Sequence, residues 1–403
     1  MTASSAPDSA NPLHGVTVLE FGQFIAGPFA GQQLADFGAE VIKIERPGQG
    51  DPFRQFVMST KMDGYAHNFR AFNRNKLGVT IDIQHPSGRA IAVRLAADAD
   101  VVIENFRPGV LDRLGLGYED LREINPRLIF CSISGFSNDG PYRDRPAFDT
   151  IGQALSGMLH LFVDPEYPSV RGPTIVDQAT ALQAVNAIVA ALYARDRTGI
   201  GSRIDISMLD AAIAFMPDTF TASTESDADI GPLTRASFSH SFVFRCEDDR
   251  MICVHVGGPE RFWQALVAAV GSEAIAADQR FADRSCRIAH FSALTEAFAA
   301  VFRTRSRAAW LERMTVYDVP AAAVSTIFDV FGDPEVRHGG ILDAVSHAVF
   351  GPMTIVRRAA RINSQRDDSR TLPPMLGEHT DYVLRRAGFA DSEIAAFRAE
   401  RVL

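Results

Sequence analysis

From its start to about residue 210 the chain alternates short apolar segments with stretches of helical periodicity, and this pattern constrains the fold most strongly. Such alternation predicts an α/β domain in which helices cover a parallel sheet. Ligands of such sheets bind beyond the carboxyl ends of the strands, which here precede residues 45–47, 105–108 and 134–135. The predicted strands are GVTVLEF, AEVIKIE, VTIDI, VVIENF and LIFCSIS, and the helices include FAGQQLADFG and GRAIAVRLAADA.

A different pattern begins near residue 225, after a polar linker. The segment SFVFRCEDDRMICVHV predicts a hairpin, and amphipathic helices follow in PERFWQALVAAVG, SALTEAFAAVF and RAAWLERM. We therefore expect a large domain over residues 1–222 and a small α+β domain over residues 223–332. Residues 333–403 are expected to return to the large domain.

Charge and hydropathy exclude several classes of partner. The 403 residues include 49 acidic and 40 basic ones and carry a net charge of −9, which disfavours nucleic acid. No apolar run approaches the ~20 residues that span a bilayer, and the first residues lack a signal-peptide pattern, so we expect a cytoplasmic protein without membrane contact. Cys253 and His255 share one face of a predicted strand without further ligands, and we expect no metal site.

Residues 15–45 imitate a dinucleotide-binding motif. They contain a strand, a glycine-bearing turn, a helix and a second strand that ends in Glu45. The glycines fall at positions 22, 27 and 31, which is not the Gly-x-Gly-x-x-Gly spacing that approach to a pyrophosphate requires. The pattern therefore disfavours a nicotinamide or flavin cofactor.

The stretch ATALQAVNAIVAALYA, residues 179–194, predicts a helix that is apolar on nearly every side and buried between layers. Gly199 follows as its C-cap, and Asp177 precedes it as an N-cap that accepts backbone N–H groups. The same position suits a nucleophilic carboxylate that the helix holds ionised, while helix N–H groups stabilise developing oxyanion charge. Asp149 begins another predicted helix with the same ambiguity, and the spacing leaves both interpretations open.

Six segments in order carry a resemblance to a known family. The chain resembles the class III CoA-transferases, typified by formyl-CoA:oxalate and carnitine CoA-transferases, with α-methylacyl-CoA racemase as a relative. The resemblance implies a Rossmann-like large domain built from both chain ends, a small middle domain, and a homodimer of interlinked chains. The segments are GVTVLEFGQFIAGPFAGQQLADFGAEVIKIERPGQGDPFR, NRNKLGVTIDIQHPSGR, ADVVIENFRPGVLDRLGLGYEDLREINPRLIFCSISGF, ARDRTGIGSRIDISMLDA, VPAAAV with DPEVR, and PPMLGEHTDYVL.

The resemblance also implies roles for individual residues. Asp177 matches the catalytic aspartate of the family, and Asp149 matches the acidic residue of its active-site wall, which we count as catalytic. Arg46, Asn105 and Arg113 match positions that hold the nucleotide and pantetheine of CoA. Arginine suits phosphate because its guanidinium makes charge-assisted, often bidentate hydrogen bonds.

Departures from the family pattern concern the acyl and acceptor pocket. Gln23 replaces a histidine of the formyl-CoA enzyme, and Ile25 replaces a glutamine that contacts oxalate. Phe148 replaces the histidine with which the racemase moves an α-proton, and a phenyl ring cannot accept a proton. We therefore expect transfer to an acid larger than oxalate, such as a dicarboxylate whose second carboxylate meets Arg145.

The implied reaction transfers CoA between carboxylic acids. Asp177 attacks an acyl-CoA, forms an aspartyl anhydride and then an aspartyl-CoA thioester, and passes CoA to an acceptor acid. No cofactor beyond CoA as a substrate is expected. A glycine-rich loop shields the intermediate in the family, and Gly257 and Gly258 are the comparable residues. Two alternatives stay open: an acyl-CoA racemase or isomerase, and a non-catalytic CoA-binding protein.

Overall fold

The computed structural model describes residues 11–58, 62, 64–225, 230–366 and 371–403. These residues fall into two compact units. The first unit comprises the described parts of Met1–Leu159, Gly172–Phe220 and Gly339–Leu403, and the second comprises those of His160–Arg171 and Thr221–His338. Each unit has a hydrophobic core of its own.

Eleven strands form three sheets in the described chain. They are β1 Thr17–Glu20, β2 Glu40–Glu45, β3 Lys76–Thr80, β4 Val101–Glu104, β5 Ile129–Ser134, β6 Ser202–Ser207, β7 Ser241–Arg245, β8 Met251–His255, β9 Ala321–Ala323, β10 Leu342–His347 and β11 Gly351–Val356. Strand β3 lies three residues earlier than the predicted segment VTIDI, because its pairing with β2 runs from Lys76 to Thr80.

Eighteen α-helices connect and cover these strands within the described residues. None of them has both the length and the apolar character that crossing a membrane requires. They are α1 Ala26–Asp36, α2 His67–Ala71, α3 Pro86–Ala97, α4 Tyr118–Ile124, α5 Asp149–Leu155, α6 Val176–Thr198, α7 Met208–Ala214, α8 Pro217–Ser223, α9 Thr234–Phe238, α10 Glu260–Val270, α11 Glu273–Ala277, α12 Arg284–Ala289, α13 Phe291–Phe302, α14 Arg307–Val316, α15 Ile327–Gly332, α16 Pro334–Gly339, α17 Thr380–Arg386 and α18 Asp391–Ala399.

The first unit is built on a six-stranded sheet with the order β3-β2-β1-β4-β5-β6, in which every pair is parallel. This arrangement confirms the predicted α/β class and parallel sheet. Strand order reverses between β1 and β4, and ligands of doubly wound sheets bind beyond the carboxyl ends at this reversal. Strand β6 was not predicted, although polar residues alternate with isoleucine in SRIDIS as they do in a half-buried strand.

Two apolar layers sandwich this sheet, because successive side chains of a strand point to opposite faces. Val18 of β1 packs in one layer with α1 and α6. Leu19, the next residue, packs in the other layer with α3, α4, α17 and α18. The sheet is therefore covered on both faces, and its strand ends are held by rigid elements.

The second unit contains the predicted hairpin. Strands β7 and β8 pair antiparallel, and β9 adds to the outer edge of β8. Helices α10, α13 and α14, all of which the sequence predicts, pack against this small sheet around an aromatic core. That core includes Phe242, Phe244, Trp263, Phe298, Phe302 and Trp310.

Candidate active site

A cleft of about 210 Å³ opens in the first unit at the carboxyl ends of β1, β4 and β5. This is the point of strand reversal at which doubly wound sheets bind ligands. Two of the three predicted strand ends, residues 105–108 and 134–135, line the cleft, whereas residues 45–47 lie outside its lining. The lining residues are Phe24, Ile25, Ala26, Asn105, Phe106, Arg107, Pro108, Ile133, Ser134, Gly135, Arg143, Arg145, Pro146, Ala147, Phe148, Asp177 and Met208.

The buried carboxylate of Asp149 caps the helix that carries Asp177. Its Oδ1 accepts hydrogen bonds from the backbone N–H groups of Ile175, Val176 and Asp177, at 2.8, 2.7 and 3.2 Å. Its Oδ2 accepts a hydrogen bond of 2.6 Å from Gln153 Nε2. Both oxygens of Asp149 are therefore engaged within the protein.

The prediction that Asp177 is the N-cap of this helix is wrong. Helix α6 begins at Val176, Ile175 occupies the cap position without a side-chain hydrogen bond, and Asp177 is the second helical residue. The physical reason is that Asp149, from the start of α5, already accepts the N–H groups that a cap would accept. Those three N–H groups are bonded to Asp149 and are therefore not available to stabilise an oxyanion. That role was expected of helix N–H groups from the sequence.

Asp177 is partly buried and lines the cleft. Burial, and after it the negative charge of Asp149, raises the pKa of Asp177 to about 7. Desolvation therefore works against the ionised form that is expected from the sequence at this position. A carboxylate with such a pKa is more basic than an ordinary aspartate and is about half ionised near neutral pH.

The segment between β1 and α1 forms one wall of the cleft. Phe24 adopts a left-handed backbone conformation with φ of 62°, which is strained for an aromatic residue. Ile25 lines the cleft and also packs with Phe53 and Phe69. The backbone N–H and carbonyl of Gln23 are hydrogen-bonded to the side-chain amide of Asn105. Gln23 itself is not among the lining residues of the cleft.

The three residues predicted to hold CoA differ in their surroundings. The side-chain amide of Asn105 lines the cleft, accepts from Gln23 N at 2.8 Å and donates to Gln23 O at 2.8 Å. It therefore fastens the end of β4 to the adjacent wall. Arg46 and Arg113 have exposed guanidinium groups and lie outside the cleft lining, so the structure does not bring them together with Asp177 in one cavity.

Three exposed arginines give the cleft a positive rim. Arg145, which the sequence predicts, lies with its Cζ 3.9 Å from the ring centroid of Tyr142. Arg107 and Arg143 also line the cleft but were not singled out from the sequence. Both could have been found, because Arg107 falls within the predicted rim at 105–108 and Arg143 stands two residues before Arg145. Such a rim favours anionic ligands.

Phe148 lines the cleft where a racemase of the two-base design carries a histidine. Its side chain is 62% exposed, and its ring lies edge-on to that of Phe24 with centroids 5.8 Å apart. Among the described lining residues no histidine occurs, and Asp177 is the only carboxylate. The described lining therefore offers a carboxylate without the neighbouring histidine that α-proton exchange by that design needs.

Gly257 and Gly258 lie in the second unit. A Cβ at Gly257 would come within 2.1 Å of the backbone oxygen of Ser239. The carbonyl of Gly257 also accepts a hydrogen bond of 3.2 Å from Arg284 Nη1. Close backbone approach, rather than freedom of movement, is therefore what requires glycine at position 257. The shielding role of the two glycines stays a prediction.

Comparison with known proteins identifies the family of this chain. The family model described as CoA-transferase family III matches residues 13–380. A succinyl-CoA:glutarate CoA-transferase of Mus musculus is 32% identical, over 94% of this chain and 87% of the mouse protein. An acetyl-CoA:oxalate CoA-transferase of Acetobacter aceti is 34% identical, over 85% of this chain and 90% of the bacterial protein.

The fold agrees as well. A CAIB/BAIF family protein from Brucella suis has a crystal structure similar to this one, with a TM-score of 0.81 and 32% sequence identity. The similarity covers 93% of this chain and 99% of that one. Sequence and fold together confirm the resemblance, and the chain is a CoA-transferase that belongs to CoA-transferase family III.

Proposed function

We propose that this enzyme moves CoA from an acyl-CoA to a carboxylic acid with Asp177 as the covalent carrier. The observation that carries the proposal is the place of Asp177: it is the only carboxylate among the described residues that line the cleft, and its pKa is raised to about 7. Burial and the charge of Asp149 thus give it the basicity of an activated nucleophile.

The reaction consists of four acyl exchanges. A carboxylate oxygen of Asp177 attacks the thioester carbon, the C–S bond breaks, and CoA thiolate leaves an aspartyl anhydride. The thiolate attacks the Asp177 carbonyl and releases the donor acid, which leaves an aspartyl-CoA thioester. The acceptor carboxylate attacks that thioester, the C–S bond breaks, and CoA thiolate leaves a second anhydride. The thiolate then attacks the acceptor carbonyl of this anhydride, which forms the acceptor's CoA thioester and frees Asp177. No step requires net proton transfer or an external oxidant, since the bonds exchanged are similar throughout.

Asp149 supports this chemistry by position. Its Oδ1 holds the first turn of α6, and its negative charge contributes to the raised pKa of Asp177. Because Gln153 and three backbone N–H groups occupy its oxygens, we assign Asp149 to orientation of the nucleophile rather than to contact with substrate.

The walls of the cleft favour a dicarboxylic acid as acceptor. Phe24, Ile25 and Phe148 supply apolar surface, and Arg145 stands at the rim. An acid with one carboxylate at Asp177 can place a methylene chain against the apolar wall and a second carboxylate at Arg145. The mouse relative is named for glutarate and the Acetobacter relative for oxalate; the apolar Ile25 leads us to propose an acid longer than oxalate.

We propose that Arg46 and Arg113 bind the phosphate groups of CoA, and that Asn105 acts by holding the wall of the cleft. Both guanidinium groups are exposed, as contact with a soluble nucleotide requires. The side-chain amide of Asn105 is already bonded at both ends to Gln23.

We further propose that the enzyme is a homodimer of interlinked chains. The neighbouring helices α5, α6 and α7 expose large apolar side chains, although such a face is costly in water. A second copy is the occupant that the implied interlinked fold supplies. The exposed residues include Ile151, Leu155, Leu182, Val189, Tyr193 and Ile213.

Trapping with hydroxylamine tests the carrier role of Asp177. After incubation with a panel of acyl-CoAs and a hydroxylamine quench, peptide mass spectrometry should find a hydroxamate on Asp177. Asp177→Asn should lose transfer by at least about a thousandfold, whereas Asp139→Asn, at an exposed position, should retain it. An unmodified Asp177 across the panel, with α-protons exchanging instead, would favour the isomerase alternative.

Stability measured against pH tests the raised pKa of Asp177. Between about pH 4 and 7 the folded chain keeps a proton that the unfolded chain releases, so ionisation of Asp177 lowers the free energy of unfolding as pH rises. Asp177→Asn removes this loss, and its advantage over the wild type should grow by about 3 kcal/mol between pH 4.5 and 8. Urea unfolding measures the free energy of unfolding at each pH. A difference between Asp177→Asn and the wild type that stays constant with pH, as expected for Asp139→Asn, would contradict the raised pKa of Asp177.

Substitution of Arg145 tests the acceptor class. Arg145→Met should raise KM for glutarate by about tenfold or more, because a charge-assisted pair is lost. It should leave KM for the monocarboxylate valerate within about twofold. Arg113→Met serves as the matched control and should raise KM for acyl-CoA instead. Equal effects of Arg145→Met on both acids would remove Arg145 from recognition of a second carboxylate.

Solution mass tests the homodimer. Light scattering at micromolar protein should give about twice the mass of one chain. The double variant Val189→Glu with Tyr193→Glu should reduce the dimeric fraction, because two charges would be buried at the interface. Val316→Glu, at an exposed apolar position of the second unit, should not. A wild-type protein with the mass of one chain would refute the proposal.

A further inference from the structure

Beneath the carboxyl ends of β1 and β2 lies a group of six charged side chains, each no more than 1% exposed, which we name the buried charge cluster. Lys43 Nζ lies 3.1 Å from Glu20 Oε1 and 3.1 Å from Asp51 Oδ2. Lys76 Nζ lies 2.7 Å from Glu20 Oε2. Arg54 Nη2 lies 2.7 Å from Glu45 Oε2. The members of the cluster are Glu20, Lys43, Glu45, Asp51, Arg54 and Lys76.

The chain makes room for this cluster. A Cβ at Gly31 would lie 1.9 Å from Glu20 Oε2, so glycine stands inside helix α1 despite its low helix propensity. Burial lowers the pKa of Lys76 to about 8, against the pull of Glu20. Burial also opposes the charge of Lys43, but nearby carboxylates led by Asp51 outweigh it and raise that pKa. Because burying charges costs desolvation free energy, this cluster is poorly explained by a contribution to folding stability alone.

Three members of the cluster contact one segment, residues 22–28, between β1 and the first turn of α1. Lys43 Nζ donates to the carbonyl of Gly22 at 2.7 Å, and Lys76 Nζ donates to the carbonyl of Pro28 at 2.7 Å. Asp51 Oδ1 accepts from the N–H of Phe24 at 3.2 Å. The segment is thus held at both ends and near its middle by fully buried charges.

The held segment has a backbone conformation that needs support. Phe24 has φ of 62°, and a strained residue keeps such a conformation only where its surroundings over-determine it. Its N–H is bonded to Asp51, and Gln23 beside it is bonded through both backbone groups to Asn105. Phe24 and Ile25 line the cleft beside Asp177.

We propose that the buried charge cluster is a positioning device for segment 22–28 and, through Phe24 and Ile25, sets which acceptor acid fits the cleft. Lys43, Asp51 and Lys76 are its positioning residues. The acceptor part of this inference rests on the proposed function, whereas the fixing of the segment does not.

Amide hydrogen exchange of the wild-type protein is the first test. The N–H of Phe24 lies outside helices and strands, yet its bond to a buried carboxylate should slow its exchange by at least about a hundredfold relative to an unstructured peptide. Exchange of Phe24 at the unstructured rate would overturn the proposal, and this result requires no variant that folds.

Lys43→Met is the second test, with Arg195→Met as its matched control. Arg195 belongs to another ion pair, 2.9 Å from Asp100 Oδ1, in which Arg195 is buried and Asp100 partly exposed, at the amino ends of the strands and away from the segment. Lys43→Met should speed exchange of peptides covering residues 22–28 by about tenfold, and Arg195→Met should not. It should raise KM for the acceptor acid by about tenfold while KM for acyl-CoA changes less than about twofold.

The outcomes separate the two claims. Equal exchange in Lys43→Met and Arg195→Met would overturn the positioning role whatever the activity. Faster exchange with an unchanged acceptor KM would overturn the link to acceptor choice. If Lys43→Met does not fold, Lys43→Arg and Asp51→Asn replace it: the first keeps the charge and should raise acceptor KM less, relative to the wild type, than the second. Failure of the proposed function would appear separately, as absence of a hydroxamate on Asp177.

Discussion

One buried carboxylate, that of Asp149, organises the cleft. It caps α6 from the start of α5, and it therefore joins two helices that are distant in sequence. The two helices approach so closely that a Cβ at Gly152 would lie 2.8 Å from Val176 Cγ1. Gln153, the next residue, completes the bonding of Asp149. Three residues of the short segment DTIGQ, namely Asp149, Gly152 and Gln153, thus contribute to the one contact that positions Asp177.

The contact with Asp149 has two opposing effects on Asp177. Burial is the larger cause of its raised pKa and the charge of Asp149 the smaller one, so the group that positions the proposed nucleophile also opposes its ionisation. A higher pKa makes the ionised carboxylate a better nucleophile but reduces the ionised fraction at neutral pH. A value near 7 balances these two effects at neutral pH.

Sequence patterns predicted what depends on local periodicity and missed what depends on distant partners. Alternation predicted the parallel sheet, and Gly199 was correctly predicted as the C-cap of α6, with φ of 74°. The N-cap was assigned to Asp177 because local spacing cannot show that Asp149 would reach the same N–H groups. The site was predicted at three strand ends, and two of them line the cleft. Nothing in the spacing indicated the left-handed Phe24, whose N–H is bonded to a buried carboxylate distant in sequence.

In helix α6 the sequence pattern and the burial observed in a single chain disagree. Its sequence is apolar on nearly every side, which predicts burial all round. In one chain Leu182, Val189 and Tyr193 are instead exposed, the last by 62%, while Ala184 and Ile188 are buried against the sheet. A helix with two apolar faces needs two partners to exclude water from both. The sheet supplies one of them. A second copy against the other face would remove the contradiction and would stiffen the helix whose first turn presents Asp177.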